Sequence, residues 1–199
     1  GSGPVDAPRG YRAAFRALAG RRDLLRLIAV ALLRTAAFMG QLSYLAAWYG
    51  ERFGLTPLAF TLVWTVSGSS FAAGNYVAGR WVGGGAGRPR VLIVSGLVVG
   101  TAALPVLFGT SLLAVALVCT AVLGLAHASV AAAVTTLIVR TGGTSTPMAL
   151  SVNAAAMSFG TFVGAAVGGV GLAVAGFCGL GLALAAVTAC ALPLAARRS

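Results

Sequence analysis

Lysine is missing altogether from this 199-residue chain, and three acids stand against fourteen arginines. Without lysine there is no Walker A loop. The acids, Asp6, Asp23 and Glu51, all lie outside the apolar runs, so no pair of carboxylates is placed for general acid–base work. There is one histidine, His127. The cysteines, Cys119, Cys178 and Cys190, are scattered through apolar runs without CxxC spacing, which argues against a zinc site and against a disulfide framework. No nucleophile is matched to a base, so neither an enzyme nor a cofactor is expected. Charge of any kind is scarce: 9% of residues are charged and 59% apolar, against about 25% charged in a soluble domain. This is the composition of a membrane protein.

What is present is long apolar sequence. Six runs reach or approach the roughly 20 residues that a helix needs to cross the hydrocarbon: Leu27–Tyr49, Leu58–Trp81, Val91–Phe108, Leu112–Val139, Met148–Val174 and Phe177–Ala196. The expected fold is an all-α membrane bundle of six spans, residues 24–199, behind a basic segment, residues 1–23. The first apolar run is too long, and too far behind basic sequence, for a cleavable signal peptide. The opening Gly-Ser-Gly and the absence of an initiator methionine suggest a piece of a longer protein.

The arginines alternate from gap to gap. Arg9, Arg12, Arg16, Arg21, Arg22 and Arg26 precede the first run; Arg80, Arg88 and Arg90 fall between the second and third; Arg140 follows the fourth; Arg197 and Arg198 close the chain. The intervening gaps hold only Glu51 with Arg52, the turn Gly109-Thr110-Ser111 and a glycine turn at Gly176. By the positive-inside rule both termini are cytoplasmic. Fourteen arginines would suit nucleic acid in a soluble chain, but gap placement makes them topology determinants facing an anionic bilayer, so no nucleic-acid partner is expected. In the first gap, GYRAAFRALAGRR sets Tyr11, Phe15 and Leu18 at helical spacing with Arg12 and Arg16 off the stripe. That pattern predicts a short helix lying in the membrane interface.

The stretch GRWVGGGAGRPRV, residues 79–91, fits neither a phosphate loop nor the GxGxxG dinucleotide fingerprint. Between the second and third spans it resembles the glycine–arginine signature of major facilitator superfamily transporters: Gly79, Gly87, Arg88 and Arg90 match. The aspartate of that signature is missing, and one residue is inserted. The fifth run, SVNAAAMSFGTFVGAAVGGVG, spaces Gly160, Gly164 and Gly168 four apart with Gly169 alongside, a flat ridge for close helix packing. It is similar to span eleven of drug- and sugar-efflux members of that superfamily, the arabinose-efflux type included. The resemblance covers nearly the whole chain. It implies spans seven to twelve of a twelve-span permease from a bacterial cytoplasmic membrane, lacking its N-terminal six-span half, with a small-molecule substrate and alternating access about a midplane site.

Candidate site residues follow from depth. Arg34, about two turns inside the first span, is either functional or snorkels to the headgroups. Phe38, Gln41, Leu45 and Trp48 share its stripe, and Tyr44 is adjacent; the stripe either lines a pocket or packs against neighbouring spans. His127, at the centre of the fourth span, and Thr135, two turns on, suit a solute contact or an interhelical bond. Trp64, Ser67, Phe71 and Asn75 in the second span, and Asn153, Ser158 and Thr161 in the fifth, read as packing. The rival to a transporter half is a non-transporting six-span subunit, with a homodimerising half-size carrier between the two.

Overall fold

A computed structural model describes residues 7–83 and 88–196. Every regular element among them is helical: α1 (Ala7–Ala19), α2 (Arg22–Phe53), α3 (Pro57–Val82), α4 (Arg88–Gly109), α5 (Leu113–Gly142), a 3₁₀ turn (Gly143–Ser145) and α6 (Thr146–Ala196). Each of the six apolar runs lies within a helix. Two stretches, Arg88–Gly109 and Leu113–Ala196, are long and apolar enough to cross a membrane, and the second takes in α5 and all of α6. Among the described residues these two stretches alone have that length and apolarity, so six separate crossings remain an expectation.

Turn chemistry sets the helix ends. Thr56 caps α3, accepting from the Ala59 N–H at 3.2 Å, with Pro57 opening the helix at a position where its missing N–H costs nothing. Gly54 ends α2 at φ 64°, the left-handed conformation that glycine adopts without steric cost. Gly176, at φ 63°, follows Ala175 out of helical geometry and breaks α6 into a first arm, residues 146–174, and a second, residues 177–196. The arms fold back on one another through Gly171 and Gly179. The break stands at the glycine turn expected from the sequence.

Close packing depends on small residues. A methyl group added at Gly160 would lie 2.7 Å from the Leu32 carbonyl oxygen, and one at Gly164 would collide with the Ala36 carbonyl, so α2 and the first arm of α6 touch backbone to backbone. A methyl at Gly74 would lie 2.6 Å from the Leu125 carbonyl oxygen, and Gly124 abuts Ser67 and Ser70, which brings α3 equally close to α5. Gly96 of α4 packs on Val130 of α5, and Gly181 of the second arm on Leu104 and Phe108. Two apolar clusters fill the bundle, one around Leu24, Ile28, Ile93, Val134 and Ile138, the other around Leu45, Trp48, Tyr49, Leu104 and Phe108.

At one end, α1 docks through Leu18, which is buried, while Tyr11 and Phe15 of the same stripe point outward. Arg21 secures the junction with α2: its guanidinium donates to both Asp23 carboxylate oxygens, at 3.1 and 2.8 Å, and to the Thr141 carbonyl at 2.7 Å. That bond and the attached charge hold the Asp23 carboxyl below the usual carboxylate range. Arg140 donates to the Val82 carbonyl at 2.9 Å, satisfying an acceptor left open at the end of α3.

Candidate functional site

Between the two apolar clusters lies a polar layer supplied mainly by α2 and α5. Arg34, Gln41 and His127 are 3%, 0% and 2% exposed. One Arg34 nitrogen, Nη1, donates to the His127 carbonyl at 3.3 Å and the other, Nη2, to the Thr35 hydroxyl at 2.8 Å; Nε has no partner. The described acids, Asp23 and Glu51, stand in the first and last turns of α2, so dipoles alone face the buried guanidinium. Both amide atoms of Gln41 and Nε2 of His127 also lack partners. The His127 ring lies 4.8 Å from that of Phe38, which stacks at 5.5 Å on Phe71 of α3. Across the bundle, Gly100 of α4 faces the Cε1 and Nε2 edge of His127 and the methyl of Thr188 in the second arm of α6. Absence of a side chain at Gly100 leaves the imidazole edge room that any other residue would fill.

Buried donors and acceptors without partners are costly, at about 1–3 kcal/mol each. Arg34 and His127, which meet in this layer, and Gln41, about two turns further along α2, carry atoms that an incoming polar group, water or solute, would satisfy. That is the chemical competence of the layer. It has donors in Arg34 and Gln41, an acceptor in Gln41, either role in His127, and aromatic surface in Phe38 and Phe71.

The other expected residues fall elsewhere. Trp48 is 1% exposed and packs edge-on against Tyr49, Phe53 and Phe108 in the second apolar cluster. Tyr44 is half-buried and donates to the Ala165 carbonyl at 2.7 Å, closing α2 onto the glycine ridge beside Gly168 and Gly169. Thr135 is exposed and does not share the face of His127, because eight residues turn about 80° beyond two full helical turns. In α3 Ser67 is buried against α5, whereas Trp64 and Asn75 are exposed, so the stripe expected there is split. Asn153 is buried with its oxygen unpartnered and its nitrogen 3.6 Å from Met157 Sδ, whereas the Ser158 and Thr161 hydroxyls bond back to their own helix. Of the loop signature, Gly79 is exposed with open space around it, Arg88 lies over the Trp81 ring and Arg90 lines a cleft; Gly87 lies outside the described residues.

Two features escaped the sequence reading. The buried Tyr49 and Thr120 hydroxyls meet at 3.0 Å across 71 residues, a separation that leaves no local signal. Gly40 is a close-contact position outside any periodic ridge. In comparisons with known proteins, no family model matches the chain, and no curated protein or solved structure matches it either.

Proposed function

We propose that the chain is a six-span half of a secondary transporter of the major facilitator type, moving a small solute by alternating access. One observation carries this reading, an internal repeat in the packing. α2 meets the first arm of α6 where Gly40 faces the Gly164 carbonyl, and α5 meets α3 where Gly124 faces Ser70. One turn further on, Gly168 meets Tyr44 and Gly74 meets Ala128. α2 touches the second arm at Leu184 as α5 touches α4 at Gly96, and α4 crosses the second arm at Gly100 with Thr188 and at Gly181 with Leu104. Exchanging α2 with α5, α3 with the first arm and α4 with the second leaves the pattern unchanged. With three helices in each set, the second runs inverted relative to the first, the construction on which many secondary transporters are built.

In this reading both termini are cytoplasmic, α2 and α5 flank the solute path, and Arg34, Phe38, Gln41 and His127 respond to the solute. Gly160, Gly164, Gly168 and Gly169 give α6 a smooth track against α2. The opposing wall belongs to an N-terminal half of the same transporter. The test is flux in proteoliposomes holding the natural full-length protein, screened with labelled sugars and small amphipathic drugs. Gln41→Ala and His127→Ala are each expected to reduce saturable flux roughly tenfold at unchanged protein level, the order expected when a solute hydrogen bond worth about 1–2 kcal/mol is lost. Normal flux in both variants would remove them from the path. No saturable flux of any solute would favour a structural six-span subunit.

A further inference from the structure

At the arginine-rich end, a cleft of about 60 Å³ opens between α2, α4, α5 and the second arm of α6. Its mouth carries Asp23, Arg26, Arg90 and Thr141, and its walls are Leu27, Val30, Ile93, Leu137 and Leu194. We propose that this cleft binds the headgroup phosphate of an anionic phospholipid, with the glycerol and first chain methylenes along the apolar wall. Because a lipid occupant requires a bilayer at this level, the proposal rests on the membrane reading above.

Charge, size and neighbourhood all point to this occupant. The Asp23 charge is taken up by the bidentate Arg21, itself anchored on the Thr141 carbonyl, so the rim is preorganised and its acid is spent. Among the described residues Arg26 has no carboxylate partner, so its guanidinium brings positive charge to the mouth. The volume suits several waters or one phosphate group rather than a whole solute. A free phosphate would have no use for five aliphatic walls, whereas a lipid presents phosphate and hydrocarbon in that order. Immediately before Arg21, α1 turns Tyr11 at 66% and Phe15 at 56% exposure outward, together with Arg12 and Arg16. Aromatic and cationic side chains of this kind settle at the headgroup level of an anionic leaflet, which places the cleft mouth at the same depth.

The natural protein would be inserted into phosphatidylcholine nanodiscs, and lipid retention read by native mass spectrometry after adding phosphatidylglycerol. Insertion itself tests the membrane reading; preference for phosphatidylglycerol tests the cleft. The expected result is one tightly retained phosphatidylglycerol, preferred over phosphatidylcholine roughly fivefold, as one nearby cation worth about 1 kcal/mol would give. Arg26→Gln is expected to abolish the preference, Arg26→Lys to keep most of it, and Arg12→Gln with Arg16→Gln to leave it in place. Leu194→Trp, which fills the cleft without touching a charge, is expected to expel the lipid. Insertion with equal retention of both lipids would overturn the proposal, as would an unchanged preference in both Arg26→Gln and Leu194→Trp, or displacement of the lipid by millimolar inorganic phosphate. A chain that stays out of the nanodiscs would overturn the membrane reading with it.

Discussion

Two tightly packed helix pairs, α2 with the first arm of α6 and α3 with α5, are built alike and furnished differently. In both, backbone approaches backbone over small residues in the same relative positions. On the first pair, Tyr44 bonds across to Ala165 where the second has only the Ala128 methyl. Arg34 and Gln41 belong to α2 and His127 to α5, and their unpartnered polar atoms are buried away from the contacts that repeat. Packing is thus duplicated while polar chemistry is not. Small residues recur because two helices at contact distance demand them wherever they cross. Nothing in packing demands an arginine or a glutamine without partners, so the unrepeated residues are where function is to be sought.

The sharpest way to break this comparison is to overfill one pair at a time. Gly164→Ala would drive a methyl group into the Ala36 backbone, which has no rotamer to give, and is expected to cost about 3 kcal/mol or more and to leave little folded protein. At the corresponding site, Gly124→Ala meets the Ser70 hydroxyl, which can turn away, and a Ser67 carbonyl at 3.0 Å, so about 1 kcal/mol is expected. Thermal unfolding in detergent compares them; equal losses would mean that the pairs are equally tight. Next in size is Gln41→Leu. Removing two unpartnered buried amide atoms should stabilise the bundle by about 1–2 kcal/mol. A loss of stability in the same assay would show that Gln41 already has partners, such as ordered water.

The smallest effect concerns the end of the bundle. Asp23 has its folded value lowered by Arg21, so the clasp contributes its full stability above the unfolded carboxylate value of about pH 4. That contribution is lost as pH falls through the lower folded value. Both partners are partly exposed, at 39% and 27%, so the whole bundle should hardly respond. Proteolysis after Arg16 at graded pH should instead show local release of α1 below about pH 4; Asp23→Asn should show that release at neutral pH.

Much of the architecture was legible because it rests on composition and period. Apolar runs broken by arginine or glycine become helices broken at the same places, and the ridge of Gly160, Gly164 and Gly168 announces a tight contact through its four-residue spacing. The partner of that ridge and the second tight pair were not legible, since Gly40, Gly74 and Gly124 are isolated and nothing local marks a glycine as a contact. The polar layer was half legible. Depth in the run singles out Arg34, Gln41 and His127, but spacing alone extends the set to Trp48, Tyr44 and Thr135, which rotation about the helix and the competition of aromatic packing send elsewhere. The Tyr49–Thr120 bond and the Arg21–Thr141 anchor join residues far apart in the chain, and only the fold brings them together.

That anchor has a neighbour. Thr141 holds Arg21 at the entry of α2, and the residue before it, Arg140, holds Val82 at the exit of α3. Consecutive residues at the foot of α5 therefore grip two separate parts of the chain. A displacement of this foot would pull on the entry of α2 and the exit of α3 at once. The foot of α5 is a common handle on two segments that are otherwise far apart in the chain.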